Sequence, residues 1–188
     1  MTLRIAGGSF RGRILQSPKS RTTRPTLGAV RTAVFNICQT RIEDALFLDL
    51  FAGSGAMGLE ALSRGAKSAL FIDRDQEAIS CIVKNIESLG VEDKTLVLKG
   101  DALSHLRRLN KKFGIIYIDP PYVTNRNQAN ALIDQCIETI EDRELLEEDG
   151  ILFIEEPYTK EKLYTLKKLR VKDKRRIGGS ELHQLTYY

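Results

Sequence analysis

From about residue 45 onward, short apolar runs alternate with amphipathic segments, and this order constrains the fold more than any other feature of the chain. Five apolar runs have the length of buried strands, at residues 45–50, 69–73, 95–99, 113–118 and 150–154. Segments with helical spacing lie between them, at residues 57–64, 76–89, 101–109 and 129–140. Strands that alternate with helices form a parallel sheet with helices on both faces. The pattern therefore predicts an α/β domain.

The C-terminal end departs from this alternation. Residues 170–176 and 182–188 flank the segment Ile177-Gly178-Gly179-Ser180-Glu181, a pattern typical of an antiparallel hairpin. We therefore expect an antiparallel hairpin at the end of the parallel sheet.

The N-terminal end differs as well. Residues 3–5 and 13–15 flank a glycine-rich segment and predict a small hairpin. After a polar loop, Thr26 can cap a helix, and the buried face of that helix is formed by Val30, Val34, Ile37 and Cys38. We divide the chain into an extension, residues 1–25, and an α/β domain, residues 26–188.

Composition limits the class of protein. The 188 residues suffice for one domain with a substantial core, and 42% hydrophobic with 29% charged residues is typical of a globular chain. No apolar run approaches the roughly 20 residues that span a membrane, and the first residues lack the apolar stretch of a signal peptide. The three cysteines lie far apart among apolar residues, and the two histidines are not spaced as metal ligands. We expect a cytoplasmic monomer with reduced cysteines, no membrane segment and no metal.

The net charge of +4 is unevenly distributed. No acidic residue precedes Glu43, whereas basic residues are frequent there, and we predict that five of them bind a nucleic acid: Arg4, Arg11, Arg13, Arg24 and Arg31. A second basic block covers residues 167–176, and the sequence leaves open whether it is a binding surface or only solvated charge.

The segment Gly53-Ser54-Gly55-Ala56-Met57-Gly58 follows the first strand and opens a helix, and Asp73 lies 20 residues after Gly53. This arrangement matches the dinucleotide-binding fingerprint, so an NAD enzyme is one reading. However, Asp49 ends the first strand, and its carboxylate would repel a pyrophosphate. The chain also lacks a second domain of the size that dehydrogenases use for their substrate.

S-adenosylmethionine (SAM) fits these residues better. Asp49 can face its ammonium group, while backbone N–H groups near Gly53 to Gly55 receive its carboxylate. Asp73 can accept both ribose hydroxyls, and Asp101, at the end of the third strand, can accept from the adenine amino group or simply cap the next helix. The predicted cofactor site also includes their chain neighbours Phe51, Arg74 and Ala102.

The stretch Asp119-Pro120-Pro121-Tyr122 ends the fourth strand, because two consecutive prolines force the chain to turn. Ligands bind at the carboxyl ends of strands in open α/β sheets. A carboxylate and a carbonyl beside a flat ring suit a planar base with an amino group. The alternative is a loop with a solvated carboxylate and a packed tyrosine.

Four stretches together resemble the RsmD family of bacterial small-subunit ribosomal RNA guanine-N2 methyltransferases: Arg24-Pro25-Thr26, Arg31-Thr32-Ala33-Val34-Phe35-Asn36, residues 48–65 and Asp119-Pro120-Pro121-Tyr122. The resemblance covers nearly the whole chain. It implies a Rossmann-like SAM-dependent fold, with a mostly parallel seven-stranded sheet and an antiparallel final strand. It also implies a basic N-terminal extension that contacts ribosomal RNA in the assembling small subunit. The chain departs from the family pattern at Asp73-Arg74, where related sequences often have a glutamate followed by another residue.

The function expected from this resemblance is methylation of a guanine N2 amine in 16S ribosomal RNA. Asp119 and the Pro120 carbonyl would hold the amino hydrogens, Pro121 would fix the turn, and Tyr122 would stack on a base turned out of its helix. Two alternatives stay open: a DNA adenine-N6 or cytosine-N4 methyltransferase, which can share this turn, and a non-catalytic RNA-binding assembly factor.

Overall fold

The computed structural model describes residues 2–18, 28–121, 126–158 and 164–188, with the side chains of residues 126–129 outside the description. Three residues that the sequence singles out lie outside the described residues: Arg24, Thr26 and Tyr122.

Seven strands and five helices form the described part of the chain. The helices are α1 (Gly28–Ile37), α2 (Ala56–Ser63), α3 (Gln76–Leu89), α4 (Ala102–Leu106) and α5 (Arg126–Asp142). The strands are β1 (Leu46–Leu50), β2 (Ser68–Asp73), β3 (Thr95–Lys99), β4 (Phe113–Ile118), β5 (Leu146–Pro157), β6 (Leu169–Ile177) and β7 (Ser180–Tyr187).

All seven strands belong to one sheet, in the order β3-β2-β1-β4-β5-β7-β6. The first five strands of the chain pair in parallel, whereas β7 runs antiparallel to both β5 and β6. This arrangement confirms the predicted Rossmann-like α/β fold with an antiparallel strand at the end. Strands β1 to β5 all finish at one edge of the sheet, which we call the carboxyl edge; β6 also finishes there, and β7 starts there.

Two apolar cores cover the two faces of the sheet. Helices α1, α2 and α3 pack on one face, around Phe35, Phe47 and Phe71. Helices α4 and α5 pack on the other, around Ile116 and Ile137. Such burial on both faces explains why the parallel strands read as continuous apolar runs.

The glycine at position 58 allows helix α2 to lie close to strand β2. A Cβ atom there would come within 2.3 Å of Cε1 of Phe71, a separation that no side chain tolerates. The last glycine of the predicted turn therefore serves helix–sheet packing rather than ligand contact.

The N-terminal extension is joined to the same body. Arg4 and Ile14 form a single antiparallel bridge, flanked by a hydrogen bond from Leu15 N–H to the Leu3 carbonyl at 2.9 Å. Ile5 and Leu15 are buried in the core that α2 and α3 share. The extension therefore packs on the α/β domain instead of projecting from it.

Several element boundaries differ from the sequence prediction, and the largest difference is at β5. Strand β5 begins at Leu146 rather than 150, because the buried Leu146 pairs with Phe113 ahead of a register shift, and three acidic residues after it hide the apolar pattern. Helix α4 ends at Leu106, whereas the sequence predicts a helix to residue 109. Among the described residues, no helix is long and apolar enough to cross a membrane.

Candidate active site

The turn after β1 places a buried carboxyl group beneath the carboxyl edge. Asp49 is only 1% exposed, and its Oδ2 accepts a hydrogen bond from the Gly58 N–H at 3.0 Å. The chain then turns through three residues with positive φ, Phe51 (63°), Gly53 (55°) and Gly55 (75°). A left-handed backbone explains the glycines, since other residues rarely adopt it.

Asp73, at the end of β2, ties this turn to the next one. Its Oδ2 accepts from the Gly53 N–H at 2.8 Å, and its Oδ1 accepts from the Asp75 N–H at 2.9 Å. Because a carboxylate oxygen has two acceptor sites, each can still accept from a ligand hydroxyl. The carboxylate is therefore held in place without being saturated.

The expectation that N–H groups near Gly53 to Gly55 receive a ligand carboxylate is wrong for two of the three residues. The Gly53 N–H donates to Asp73, and the Gly55 N–H donates to the Ala52 carbonyl at 2.7 Å. A Cβ atom on Gly53 would meet only the Phe51 carbonyl oxygen, at 4.0 Å, so the surface above Gly53 is open. These glycines shape the turn and keep it accessible.

Asp101 follows β3 and caps α4. Its Oδ1 accepts from the N–H of Ser104 at 2.8 Å and from the Ser104 hydroxyl at 2.9 Å. These hydrogen bonds lower the pKa of Asp101, which is exposed at the carboxyl edge. The residue is a helix cap, and its carboxylate is also within reach of solvent and ligands. Of the predicted neighbours, Ala102 is buried, Phe51 half-buried and Arg74 exposed.

The turn after β4 brings a fourth acid to the same edge. Asp119, Pro120 and Pro121 are all partly exposed. Burial of the Asp119 carboxyl group nevertheless raises its pKa well above the usual range, and the negative charges of Glu155 and Asp49 raise it further. Asp119 and Asp49 therefore share one electrostatic environment.

The sequence prediction missed Glu155 and Tyr117. Glu155 is a buried residue of β5, 5% exposed, and its Oε2 accepts a hydrogen bond from the hydroxyl of Tyr117 at 2.5 Å. A usable signal existed, since Glu155 follows an apolar strand in the same way as Asp49, Asp73 and Asp119. Burial is also the main cause of a pKa for Tyr117 well above 10.

The electrostatics of this cluster favour a positively charged ligand. Burial is the largest cause that raises the pKa of Asp49, and the neighbouring charge that raises it further is another acid, Asp73. The charges that raise the pKa of Asp119 are likewise negative. A cation would stabilise the ionised forms of both groups, whereas the pyrophosphate of a dinucleotide would be repelled.

S-adenosylmethionine is the cofactor that these residues fit. Its ammonium and sulfonium groups are cations, its two ribose hydroxyls are donors that Asp73 could accept, and its adenine amino group is a donor that Asp101 could accept. Among the described residues, no histidine, cysteine or acidic side chains are grouped as a metal site.

The predicted RNA-binding arginines fall into two groups. Arg4, Arg11 and Arg13 are exposed, although Arg4 Nη1 donates to the Gly12 carbonyl at 3.0 Å and Arg13 Nη2 donates to the Ser88 carbonyl. Arg31 does not fit the prediction. It is 4% exposed, and its Nε lies 3.3 Å from Oε2 of Glu60. Its charge is therefore paired inside the protein and is not available to RNA.

Glu60 joins the extension to helix α2. The carboxylate is fully buried and accepts from the N–H groups of Ala6 at 2.7 Å and Gly7 at 2.8 Å. The same carboxylate pairs with Arg31 and, at 2.8 Å, with Arg64. Glu60 thereby holds both the extension and helix α1 against α2, the helix that follows the glycine turn.

Asn85 links the extension directly to the glycine turn. Its Oδ1 accepts from the Gln16 N–H at 2.7 Å, and its Nδ2 donates to the Gln16 carbonyl at 3.0 Å and the Ser54 carbonyl at 2.9 Å. The side chain is 1% exposed. No sequence motif predicts a role for Asn85, which lies on the apolar face of α3. Its role follows from hydrogen bonds to Gln16 and Ser54, which are distant from it in the chain.

Comparison with known proteins agrees with this geometry. The family described as Conserved hypothetical protein 95 matches residues 3–186. The ribosomal RNA small subunit methyltransferase D of Escherichia coli (strain K12) is 37% identical over 153 residues, which cover 81% of this chain and 74% of that protein. The enzyme of the same name from Haemophilus influenzae is 31% identical over 156 residues, with 81% and 78% covered.

Solved structures give the same picture. The Escherichia coli protein yhhF superposes with a TM-score of 0.87 at 31% identity, covering 100% of this chain and 98% of that one. A Haemophilus influenzae methylase candidate, HI0767, gives a TM-score of 0.79 at 26% identity, with 100% and 99% covered. The chain therefore belongs to the RsmD family of methyltransferases.

Proposed function

We propose that this protein transfers the methyl group of SAM to the exocyclic N2 amine of a guanine in small-subunit ribosomal RNA, in the cytoplasm, during subunit assembly. The observation that carries the proposal is the meeting of Asp49, Asp73, Asp101 and Asp119 at one edge of the sheet. The relatives named ribosomal RNA small subunit methyltransferase D support the choice of ribosomal RNA.

The first three acids hold the cofactor in this proposal. SAM supplies an electrophilic methyl group on a positively charged sulfur. Asp49 accepts from the ammonium group, and the raised pKa of the unbound carboxyl falls as the opposite charge arrives. Asp73 accepts from the ribose hydroxyls. The open surface at Gly53 lets the ligand approach the backbone, and Gly55, which faces Ile82 and Phe71, gives the turn its shape. Phe51, Arg74 and Ala102 border the same edge.

Asp119 holds the amine that is to be methylated. The lone pair of an exocyclic guanine amine is delocalised into the ring, so the amine is a poor nucleophile. An ionised Asp119 and the Pro120 carbonyl accept hydrogen bonds from its two N–H groups and favour a geometry in which the lone pair is less conjugated with the ring and points at the methyl group. Tyr122 stacks on the base. Positioning and electrostatics supply most of the rate gain, without a covalent intermediate.

The acids Glu155 and Asp49 favour this role. Their negative charges disfavour proton loss from Asp119 in the unbound protein, whereas a developing positive charge on the amine has the opposite effect. The carboxylate is therefore poised to accept the proton that the amine releases. Tyr117 keeps Glu155 in position through its hydrogen bond.

The extension contacts the RNA backbone through its exposed arginines. Arg4, Arg11 and Arg13 are exposed on the extension, and phosphate contacts of this kind position an RNA without reading its sequence. Arg31 is left out of this surface because it is paired with Glu60 inside the protein.

The test is transfer of a labelled methyl group from SAM to 16S ribosomal RNA, offered both as naked RNA and as an assembling subunit, with DNA as a third substrate. We expect label on N2-methylguanosine after digestion of the RNA. Label on N6-methyladenine or N4-methylcytosine of DNA would show that the substrate is DNA and not ribosomal RNA. Absence of transfer by a protein that binds SAM would indicate a non-catalytic assembly factor.

The same assay tests the role of Asp119. Asp119→Ala should abolish transfer while SAM still binds in a calorimetric titration, because the other acids hold the cofactor. Asp75→Asn is the matched control, since it changes an acid that follows the neighbouring strand β2 and has no role in binding, but keeps a side chain that can cap α3. Full activity in Asp119→Ala would contradict the assignment.

A further inference from the structure

The basic block near the C-terminus divides into paired and unpaired charges. Lys167 Nζ lies 3.0 Å from Glu138 and 2.9 Å from Asp142, and Lys168 Nζ lies 2.8 Å from Glu144. Within β6, three exposed basic residues form no ion pair in the described part of the chain: Arg170, Lys172 and Arg176. Only part of the block therefore offers free positive charge.

Arg176 differs from the other two because it lies over an aromatic ring. Its guanidinium carbon is 4.1 Å from the centre of the Tyr158 ring, and Tyr158 is 39% exposed. Glu181 is the cross-strand neighbour of Arg176, but its carboxylate is bound to His183 Nε2 at 2.8 Å. Arg176 and Tyr158 thus form an exposed pair of planar groups.

The sheet places this pair at the same edge as the active site. Tyr158 directly follows β5, its N–H donates to the Gly179 carbonyl at 3.1 Å, and Arg176 lies at the end of β6. Strands β4 and β6 are three strand spacings apart, which corresponds to about 14 Å between the backbones at Asp119 and Arg176, whereas Tyr158 follows β5, the neighbour of β4. The N-terminal extension contacts α2 and α3, which belong to the other half of the sheet. In the order of the strands, Asp119 therefore lies between this pair and the helices that the extension contacts.

The chemistry of the pair suits a single-stranded stretch of RNA. An exposed aromatic ring stacks on any base, and a guanidinium group can stack on the base plane and bind a phosphate. A competing explanation is that basic residues on an edge strand merely prevent pairing with other chains. That explanation treats Arg170 and Arg176 alike, because both lie on the same edge strand.

We propose that Tyr158 and Arg176 bind RNA nucleotides that flank the target guanine, on the β6 side of the active site. Tyr158 stacks on one base, and Arg176 contacts the adjoining phosphate. This inference rests on the proposed function, since it extends the path of the same RNA substrate across the carboxyl edge.

The experiment compares Arg176→Glu with Arg170→Glu. Both change the charge by the same amount on the same strand, and their Cα atoms are about 20 Å apart along β6. RNA binding is measured by fluorescence anisotropy with a labelled 16S fragment at several salt concentrations. We expect Arg176→Glu to weaken binding about tenfold and to reduce the salt slope by about one, with a much smaller effect of Arg170→Glu.

The aromatic half of the proposal has its own pair of variants. Tyr158→Ala should weaken binding about tenfold, whereas Tyr158→Phe, which keeps the ring, should bind as the unchanged protein does. In methyl transfer, the KM for RNA should rise with kcat and SAM affinity unchanged, a combination that a folding defect would not produce.

Equal effects of Arg176→Glu and Arg170→Glu would overturn the inference in favour of nonspecific charge or edge protection, as would normal binding by Tyr158→Ala. Failure of the proposed function is a different result: the unchanged protein would then bind the RNA fragment without methylating it. The two failures are therefore distinguishable in the same set of measurements.

Discussion

The raised pKa of Asp49 makes SAM binding depend on pH in a defined direction. In the unbound protein, burial and the charge of Asp73 raise this pKa, so the carboxyl group holds its proton above the usual range. The SAM ammonium group favours the ionised form. Binding below the raised pKa therefore releases a proton, and SAM affinity should increase with pH until the pH passes the pKa of the unbound protein.

The magnitude follows from linkage. One released proton changes the affinity at most about tenfold per pH unit, equivalent to about 1.4 kcal/mol, and the dependence vanishes above the raised pKa. The unbound protein has the complementary dependence: the contribution of Asp49 to stability is fully present below pH 3.8 and is lost as the pH rises through the raised pKa. SAM should therefore increase the melting temperature more at high pH than at low pH.

Calorimetric titration of SAM from pH 5 to 9, in buffers of different ionisation enthalpy, measures the released protons directly. Asp49→Asn should bind SAM more weakly and release fewer protons. Asp101→Asn is the control, because hydrogen bonds already lower the pKa of Asp101, which is ionised across this range. Proton release that is undiminished in Asp49→Asn, or proton uptake by the unchanged protein, would refute the reasoning.

Three further predictions concern the N-terminal extension. Glu60→Gln leaves the buried Arg31 without its counter-charge and should lower the free energy of unfolding by about 3–5 kcal/mol in urea denaturation; a loss below about 1 kcal/mol would show that the contacts are dispensable. Asn85→Ala removes the link between Gln16 and Ser54 and should weaken SAM binding in calorimetry, even though Asn85 is not placed to touch the cofactor; unchanged affinity would mean that the turn is rigid by itself. Reversing the charges of Arg11 and Arg13 should weaken RNA binding and flatten its salt dependence by about one per lost phosphate contact, and an unchanged slope would remove these arginines from the interface.

The fold follows from the sequence because its signals are local. Helix α3 and strands β3 and β4 begin and end where periodicity predicts, since the apolar face of each element is written in consecutive residues. The acids at strand ends were predictable for a related reason. A parallel sheet brings the ends of its strands to one edge, so Asp49, Asp73, Asp101 and Asp119 converge whatever the packing details are.

The remaining features depend on contacts between residues far apart in the chain. The sequence shows Arg31 only as a basic residue, because its partner Glu60 is 29 positions away, two residues after the glycine motif. Asn85 joins Gln16 to Ser54, which no periodicity connects. Glu155 follows the apolar run of β5 as the aspartates follow theirs, but its hydrogen bond from Tyr117, 38 positions away, is a contact that no local pattern shows. The roles of these side chains depend on their burial and on their hydrogen-bond and ion-pair partners, which residue type alone does not predict.

The separation of charge at the carboxyl edge also bears on the order of binding. Acids occupy the centre of the site, whereas exposed basic residues lie at the end of β6 and on the extension. An RNA chain is a polyanion and is repelled by an unoccupied acidic centre. SAM carries one net positive charge and reduces that repulsion, so we expect SAM and RNA to bind more tightly together than separately, with equal coupling in both directions. S-adenosylhomocysteine provides the comparison, because it lacks the sulfonium charge but keeps the other groups. We expect RNA to bind the SAM complex more tightly than the S-adenosylhomocysteine complex. Such a difference would also favour product release, because methyl transfer converts the charged sulfonium into an uncharged thioether.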